Sequence, residues 1–378
     1  MVSKFVGGGL LAYKNIISVE NLFLAWQEFI RGKRGKLDVQ KFGRNLIDNI
    51  LQLHNDLANK TYQHGGYHQF NISDPKPRNI SKASVRDRLV HHAVYRILYP
   101  FFDKQFIYDS YSCRISKGTH KAIKRLHSMF LEASDYNRKT CWVLKLDIRQ
   151  FFASIDHEVL KQILKEYIPD QDIMRLLDNI IDSFGTDCFV GGQVGRKEGL
   201  RSNLNLRETF AKGSTFRSGL RPPRKCARGL PLGNLTSQLL VNIYLNEFDQ
   251  FVKHKLKAKY YIRYADDFVI LGPDKKINTM ILSRIVVFLN NELNLSLHPN
   301  KVIIKTFSSG VDFLGWVNFP QHRTLRTSTK RRMMKRIKIR PNDDSLQSYL
   351  GLLKHGQTKQ IKQELLSNYW LFKNSDIL

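Results

Sequence analysis

Cysteine is scarce in this sequence. Its four cysteines, Cys113, Cys141, Cys188 and Cys226, are scattered, and no two of them form a C-x-x-C pair. That spacing argues against a structural zinc site and against a disulfide framework. Some of the four are expected to be small buried hydrophobes. The cysteine pattern therefore predicts a protein of a reducing, cytoplasmic compartment.

Long apolar runs are also absent. No stretch approaches the roughly 20 consecutive apolar residues that a membrane-spanning helix requires. Residues 1–12 contain an apolar segment that is too short for a secretory signal peptide. We therefore expect no membrane association and a cytoplasmic location.

Acidic residues are few relative to basic ones. The 378 residues include 61 Lys and Arg but only 33 Asp and Glu, which gives a formal net charge of +28. Such a field points to a polyanionic partner, either nucleic acid or an anionic membrane surface. Because no stretch is long enough to span a membrane, nucleic acid is the leading partner. A hydrophobic content of 42% predicts a folded protein, with room for two or three domains.

Two adjacent aspartates interrupt an apolar stretch near residue 266. The run over 260–271 is rich in β-formers on both sides of Asp266 and Asp267, which predicts a tight hairpin with both carboxylates at its tip. Charges between such flanks are unsuited to the core, since buried carboxylates need partners. Taken alone, the hairpin is either a polar turn or a functional site.

A second strand ends on a carboxylate more than a hundred residues earlier. Residues 142–147 predict a strand that ends at Asp147, and Asp156 is placed to cap the following helix. The element order is strand, helix, long insert, helix, hairpin, helix, strand, which predicts a split βαβ arrangement with a mixed sheet. In that arrangement Asp147 and Asp266 can meet.

Two carboxylates brought together repel each other unless cations bridge them. Mg²⁺ prefers oxygen ligands and commonly binds beside substrate phosphates. Two such ions about 3.5–4 Å apart would activate an attacking 3′-oxygen and stabilise a leaving pyrophosphate. The pair of carboxylates therefore predicts a two-metal site.

Two further stretches are strongly basic. Residues 184–228 are rich in Gly and Ser, and residues 196–228 hold ten Lys or Arg against two Glu. Residues 323–340 hold nine basic residues and no acidic one. The first stretch is either a solvated charge run or a basic insertion that contacts RNA. The second is predicted to contact a phosphate backbone.

The sequence resembles reverse transcriptases of the bacterial, group II intron-like branch. The resemblance runs from about residue 20 to the C-terminus, and its motifs occur in the order and at the spacing of that family. These motifs are Pro75-Lys-Pro-Arg78, Arg86-Asp-Arg88, Ser110-Tyr-Ser-Cys-Arg114, Leu146-Asp147 with Phe151-Phe152, Gly229-Leu-Pro-Leu-Gly233, Tyr264-Ala-Asp-Asp267, Lys301 and Phe313-Leu-Gly315.

The resemblance implies an α+β fold shaped as a right-hand polymerase. Residues 1–140 would form N-terminal helices and fingers. Residues 141–320 would form a ferredoxin-like palm with a mixed sheet, including the basic insertion at about 184–228. Residues 321–378 would form a short, basic, helical thumb.

The resemblance also assigns catalytic roles. Asp147 and Asp266 would hold two Mg²⁺ ions, for which Mn²⁺ is a possible substitute, and Asp267 would support them. Lys301 would lie near the leaving pyrophosphate as a proton donor. Activity would be RNA-directed DNA synthesis, a nucleotidyl transfer.

Further residues would bind the substrates. Phe152 matches the aromatic gate that excludes a 2′-hydroxyl, which favours dNTPs and argues against an RNA-dependent RNA polymerase. The other dNTP-binding residues would be Lys76, Arg78, Arg88, Leu232 and Gln238. The primer end would be gripped by Phe313, Leu314, Gly315 and Trp316, and the template–primer duplex would be followed by Lys330, Arg331, Arg332, Lys335 and Arg336.

One motif departs from many relatives. Leu232 stands where they carry Gln, and Thr236-Ser-Gln238 follows it, which is similar to the polymerases of diversity-generating retroelements. Those enzymes copy a template RNA with frequent errors at adenines, alongside a small basic accessory protein, so the implied partners are a template or structured non-coding RNA, the cDNA product, and an accessory protein or second subunit. The long insertion is unusual for that group.

The alternatives differ in what the polymerase core does. Related bacterial polymerases act in phage defence by copying a partner non-coding RNA. Splicing-coupled mobility is not expected, because little sequence follows the predicted thumb. An RNA-binding scaffold without polymerase activity and a metal-dependent nuclease are the alternatives from other functional classes.

Overall fold

The computed structural model describes residues 11–73, 77–187 and 225–373. Its N-terminal part is helical, as the apolar spacing over residues 18–60 predicts, and the basic stretch 31–36 is a turn between helices. Ser18 caps the second helix by accepting a hydrogen bond from the backbone N–H of Asn21. These four helices are α1 (Tyr13–Ile17), α2 (Val19–Phe29), α3 (Leu37–Arg44) and α4 (Leu46–Ala58).

A β-hairpin follows the N-terminal helices. Strands β1 (Tyr67–Ile72) and β2 (Arg78–Ala83) pair antiparallel, and α5 (Val85–Asp103) begins directly after Ser84. Ser84 caps α5 by accepting a hydrogen bond from the backbone N–H of Asp87. The sequence predicted two short β-type runs around an extended loop. Lys76, in that loop, lies outside the described residues.

The central sheet contains four strands in the order β6-β7-β3-β8. They are β3 (Trp142–Asp147), β6 (Tyr260–Tyr264), β7 (Asp267–Gly272) and β8 (Ile303–Thr306). This is the strand order of a split βαβ, but each pair of neighbouring strands is antiparallel. The predicted mixed sheet is therefore wrong. Strands that run in the same direction, β3 with β6 and β7 with β8, are each separated by one antiparallel strand and do not pair.

Helices cover one face of this sheet. Leu144 and Leu146 of β3 point into a core shared with Phe268 and Ile270 of β7, as the two-residue period of a strand requires. The covering helices are α7 (Phe151–Ser154), α8 (His157–Tyr167), α9 (Gln171–Asp182), α10 (Leu235–Gln250) and α11 (Lys275–Leu293). A π-helix, Phe251–Lys255, extends α10. Asp156 caps α8, as predicted.

The opposite face of the sheet packs on a second core. Val143, Ile262 and Val269 point into it, together with apolar residues of α6 (Thr119–Ala133). The rest of that core comes from the C-terminal elements. Those elements are a three-stranded antiparallel sheet, β9 (Val311–Phe313), β10 (Trp316–Asn318) and β11 (Arg323–Leu325), and the helices α12 (Thr327–Ile339), α13 (Asp343–Leu353) and α14 (Lys359–Lys373).

Shorter elements complete the described chain. Strands β4 (Thr186–Asp187) and β5 (Lys225–Cys226) pair antiparallel, and most of the predicted basic insertion lies between them, outside the described residues. Two 3₁₀ turns, Pro299–Lys301 and Phe307–Ser309, flank β8. Within the described part of the chain, no helix has the length and apolar character needed to cross a membrane.

Candidate active site

The carboxylates lie at the ends of adjacent strands. Asp266 occupies the turn between β6 and β7, directly after Ala265, whose φ is +53°. Asp267 begins β7 and is paired in register with Asp147, the last residue of β3. The hairpin is therefore confirmed, and pairing of β3 with β7 brings the residues at 147, 266 and 267 together at one end of these two central strands.

Electrostatics show that Asp147 and Asp266 interact. Burial raises the pKa of Asp266, and the negative charge of Asp147 raises it further, while Lys301 and Arg78 oppose the rise. A carboxyl whose ionisation is disfavoured by its neighbour gains from a cation between the two. A cation between Asp147 and Asp266 would therefore favour the ionised form of Asp266.

Asp267 lies deeper than Asp266. Burial raises the pKa of Asp267 to about 6, against the opposing charge of Lys145. The Lys145 Nζ is 3.3 Å from Asp267 Oδ1 and donates a hydrogen bond to the backbone carbonyl of Asp312 at 2.5 Å. Asp267 is thus the more buried of the two hairpin carboxylates.

Lys301 contacts Asp147 directly. It ends the 3₁₀ turn Pro299–Lys301, and its Nζ donates a hydrogen bond to Asp147 Oδ1 at 2.9 Å. The backbone N–H of His298 donates to the carbonyl of Asp147 at 2.8 Å, so the turn is fixed against β3. Lys301 is half exposed, which leaves its ammonium accessible from solvent.

The donor set fits Mg²⁺ completed by a substrate. Asp147 and Asp266 supply hard oxygen ligands, and Mg²⁺ commonly binds one or two carboxylates plus substrate phosphates rather than a full protein cage. In the described ranges, no group of three or more His, Cys, Asp or Glu side chains is arranged to hold a metal alone. A site of this kind therefore depends on the nucleotide to complete it.

A buried ion pair supports the β6–β7 hairpin that carries Asp266, and sequence reasoning missed it. The guanidinium of Arg263, on β6, binds Asp249 through Nε at 2.8 Å and Nη2 at 2.7 Å, and both side chains are fully buried. The Tyr261 hydroxyl donates to Asp249 Oδ1 at 2.6 Å. Arg263 Nη1 also donates to the carbonyl of Ala265 at 3.2 Å, which ties the ion pair to the turn that carries Asp266.

The loop over 109–114 packs along the free edge of β6. The backbone N–H of Tyr111 donates to the carbonyl of Arg263, and the N–H of Arg263 donates to the carbonyl of Asp109, each at 3.0 Å. The Ser110 hydroxyl accepts a further bond from Arg263 at 3.0 Å. Ser110 and Tyr111 of the Ser110–Arg114 motif therefore hold the β6–β7 hairpin in place.

The Gly229–Gly233 motif joins Phe152 to β2. The backbone N–H of Leu230 donates to the carbonyl of Phe152 at 2.8 Å, and that of Ser81 donates to the carbonyl of Leu232 at 3.1 Å. Gly233 has φ +112°, and a Cβ there would lie 3.1 Å from Ile80 Cγ2. The close approach predicted at Gly233 is thus to β2. Phe152 is half-buried, with its ring edge-on to Phe151.

The predicted triphosphate ligands have different surroundings. Arg78 is exposed at the start of β2 and close enough to Asp266 to affect its pKa. Arg88 instead binds Asp38 of α3 at 2.6 Å and lies over the ring of Phe29. Although burial opposes ionisation, hydrogen bonds from Lys82 and Arg88 lower the pKa of Asp38 to about 2. Gln238 is half-buried in the first turns of α10.

A buried histidine connects α5 to the start of α10. His91 Nδ1 lies 2.6 Å from the Thr236 hydroxyl, and its Nε2 lies 3.1 Å from Nε2 of His64. Burial, and then the neighbouring charges, lower the pKa of His91 to about 3. The unfolded chain binds a proton at His91 below about pH 6.5, whereas the folded chain does so only near pH 3. The free energy of unfolding therefore falls as the pH drops from about 6.5 to about 3.

We expect the folded protein to lose about 2 kcal/mol of stability between pH 7 and pH 5 from His91 alone. Urea unfolding at the two pH values measures the loss, and His91→Gln should reduce the pH dependence. His68→Gln, at an exposed position, is the control. An unchanged pH dependence in the His91 variant would show that the buried imidazole is not its source.

The predicted primer-gripping residues are divided by burial. Phe313 and Trp316 are almost fully buried in the second core, where Trp316 packs directly on Gly356. The turn between them, Leu314 (φ +53°) and Gly315 (φ +87°), is half-buried. Of these residues, only Leu314 and Gly315 are accessible enough to contact a primer, and the two buried aromatic rings anchor the turn that carries them.

The predicted duplex-binding residues lie on α12. Met333, Met334 and Ile337 face the core, which turns the basic residues outward. Lys330 pairs with Glu364 of α14 at 2.8 Å. The exposed basic residues of the set are Arg331, Lys335 and Arg336, and Arg332 is half-buried.

Comparison with known proteins agrees with this geometry. A family profile described as reverse transcriptase (RNA-dependent DNA polymerase) matches residues 71–317, well over half of the chain. The chain belongs to the reverse transcriptase family. The match includes β2, the central sheet and the turn between β9 and β10, and thus all three carboxylates.

Curated relatives of this reverse transcriptase are distant. Protein YkfC of Escherichia coli is 24% identical, over 72% of this chain and 69% of its own length. Group II intron-encoded protein LtrA of Lactococcus lactis is 23% identical, over 80% of this chain and 56% of its own length. Nuclear intron maturase 1 of Arabidopsis thaliana is 25% identical, over 59% and 37%. Family and relatives together support RNA-directed DNA polymerase activity.

Proposed function

We propose that this reverse transcriptase copies a partner RNA into cDNA by two-metal phosphoryl transfer at Asp147 and Asp266. The observation that carries the proposal is the register of β3 against β7, which pairs Asp147 with Asp267 and leaves Asp266 in the adjacent turn. The +28 charge of the chain suits a nucleic-acid substrate.

The described residues have separate tasks in this reaction. Asp147 and Asp266 would hold two Mg²⁺ ions, which would supply activation of the primer 3′-oxygen and stabilisation of the leaving pyrophosphate. Asp267 and Lys145 keep the strand ends in register. Lys301, 2.9 Å from Asp147, is placed to give a proton to the pyrophosphate oxygen as the P–O bond breaks.

The test is primer extension on a defined RNA template with dNTPs and Mg²⁺. A polymerase yields cDNA complementary to the template. Tight RNA binding without nucleotide addition on any template would instead support an RNA-binding scaffold, and degradation of the template would support a nuclease.

Phe152→Ala should admit ribonucleotides. Phe152 is half-buried and its carbonyl is fixed by the N–H of Leu230, so the ring has a defined position against an incoming sugar. Removing it should reduce discrimination of dNTP over NTP by about 10² or more, since exclusion by sterics amounts to a few kcal/mol. The ratio of kcat/KM values for matched dNTP and NTP measures this.

Phe151→Leu is the matched control for that change. Phe151 is buried beside Phe152, and a leucine there keeps the apolar contact without altering the gate. Unchanged dNTP selectivity in Phe152→Ala would contradict the assignment of the gate.

For the biological role, we propose RNA copying within a diversity-generating retroelement. The proposal rests on Leu232 in place of Gln and on the Thr236-Ser-Gln238 sequence that follows. Leu232 is half-buried, and its backbone carbonyl accepts a hydrogen bond from the N–H of Ser81 on β2. An aliphatic side chain therefore stands at a position where the amide of relatives could hydrogen-bond to the nucleotide.

Sequencing the RNA that copurifies with the protein, together with its cDNA, tests this role. Errors concentrated at template adenines are expected. Faithful repeats of a short template would favour a defence-associated enzyme instead.

A further inference from the structure

A basic surface lies on the outer side of α6 and the loop before it. We call it the α6 patch, and it consists of Lys117, Lys121, Lys124 and Tyr108. Lys121 and Lys124 are exposed, and the Tyr108 side chain is 70% exposed. None of its residues is among those to which the resemblance gave a role.

The lysines of the α6 patch contact neutral groups. Lys117 Nζ donates to the carbonyl of Tyr108 at 2.8 Å and lies 3.6 Å from the centre of its ring. Lys121 Nζ donates to the carbonyl of Ser116 at 2.7 Å. In the described part of the chain no carboxylate forms an ion pair with any of the three lysines; the nearby Asp109 pairs with Arg125. Their charge is therefore available to an external anion.

The start of α6 adds to this positive character. Gly118, at the N-cap position, has φ +111° and provides no side-chain cap, and the first turn contains Lys121 and no acidic residue. A cation at a helix N-terminus opposes the helix dipole. Burial, followed by the charge of Arg114, lowers the pKa of Lys117. A bound anion would relieve both effects.

The α6 patch connects the catalytic hairpin to the C-terminal helices. Thr119, in the first turn of α6, donates from its hydroxyl to the Tyr264 hydroxyl at 3.2 Å. The neighbouring His120 stacks on His355, between α13 and α14, with ring centres 3.6 Å apart. The patch therefore flanks the first turn of α6, which contacts the β6–β7 hairpin on one side and the segment between α13 and α14 on the other.

We infer that the α6 patch binds the phosphodiester backbone of the template–primer duplex between the catalytic hairpin and α12. The inference rests on the proposed polymerase function, in which the primer 3′ end lies at Asp147 and Asp266 and the duplex extends toward α12. The lysines make the phosphate contacts, while Tyr108 orients the Lys117 ammonium by a cation–π contact.

The test is a triple variant, Lys117→Gln, Lys121→Gln and Lys124→Gln, in the full chain. Binding of an RNA–DNA hybrid duplex with a blocked 3′ end is measured by fluorescence anisotropy over a range of salt concentrations. Each lost phosphate contact reduces the slope of log K against log[salt] by about 0.9. We expect a slope reduced by about 2 to 3 and an affinity at least about tenfold lower near physiological salt.

A matched control removes the same charge from the other face of the sheet. Lys165→Gln, Lys255→Gln and Lys276→Gln change exposed lysines of α8, the π-helix and α11, and should leave the salt slope within about 0.5 of wild type. Replacing the three patch lysines by arginine should retain both slope and affinity. If the glutamine triple melts below wild type, Lys124→Gln alone, with an expected slope change of about 1, replaces it.

Equal duplex binding by the patch and control variants would overturn the inference. That result would fit a patch reserved for a protein partner. Failure of the proposed function is distinguishable, because the wild-type protein would then extend no primer whatever its duplex affinity.

Discussion

Asp266→Asn is expected to reduce nucleotide incorporation by about 10³-fold or more while leaving duplex affinity within about threefold. Asparagine keeps the size of the side chain but removes the charge that balances the metals, and charge stabilisation of this kind is worth several kcal/mol, or roughly tenfold per 1.4 kcal/mol. Asp266 lies in a turn that is fixed by Arg263 through the carbonyl of Ala265. The substitution should therefore change chemistry without changing the hairpin.

Asp274→Asn provides the control for that experiment. Asp274 is exposed and caps α11, a role that asparagine fills equally well. Single-turnover incorporation with saturating template–primer separates chemistry from binding. Wild-type incorporation by the Asp266 variant would rule out a direct role for this carboxylate.

Arg263→Met should destabilise the fold by about 3–5 kcal/mol, because it leaves Asp249 as an uncompensated buried charge. The Arg263–Asp249 pair has no exposed surface, so water cannot replace the lost guanidinium. The same substitution removes the donor to Ala265, so activity should fall as well. Urea unfolding measures the stability change.

An exposed ion pair gives the matched comparison. Lys139 and Asp135 are 3.5 Å apart and largely solvent-exposed, and Lys139→Met should cost less than about 0.5 kcal/mol. Arg263→Met combined with Asp249→Leu should cost less than the sum of the single changes, since no lone charge remains. A loss below about 1 kcal/mol in Arg263→Met would contradict the supporting role of the pair.

Local patterns predicted the elements that carry the site. The apolar run before Asp147 and the two runs around Asp266 identified β3, β6, β7 and the turn between the last two, and β3 has the predicted bounds. Strand pairing was less accessible. The order of elements along the chain predicted the split arrangement, but the predicted mixed sheet was wrong, because every neighbouring pair of strands is antiparallel.

Contacts between distant segments account for the other differences. Arg88 has the sequence context of a phosphate ligand, but its partner, Asp38, lies fifty residues away on another helix. The pair of Arg263 and Asp249 was missed, although Arg263 is the one charge within residues 260–265, a signal that could have suggested a buried, paired side chain. Phe313 and Trp316 matched a primer-binding motif whose rings the structure buries.

The most direct test of the account is single-nucleotide addition to a DNA primer on an RNA template, with Mg²⁺ and one dNTP at a time. We expect wild type to add the dNTP complementary to the first template base in most turnovers, with misincorporation most frequent opposite adenine. We expect Asp147→Asn and Asp266→Asn both to lose the reaction. Addition that ignores the template base, or that survives both substitutions, would contradict templated synthesis at this pair of carboxylates.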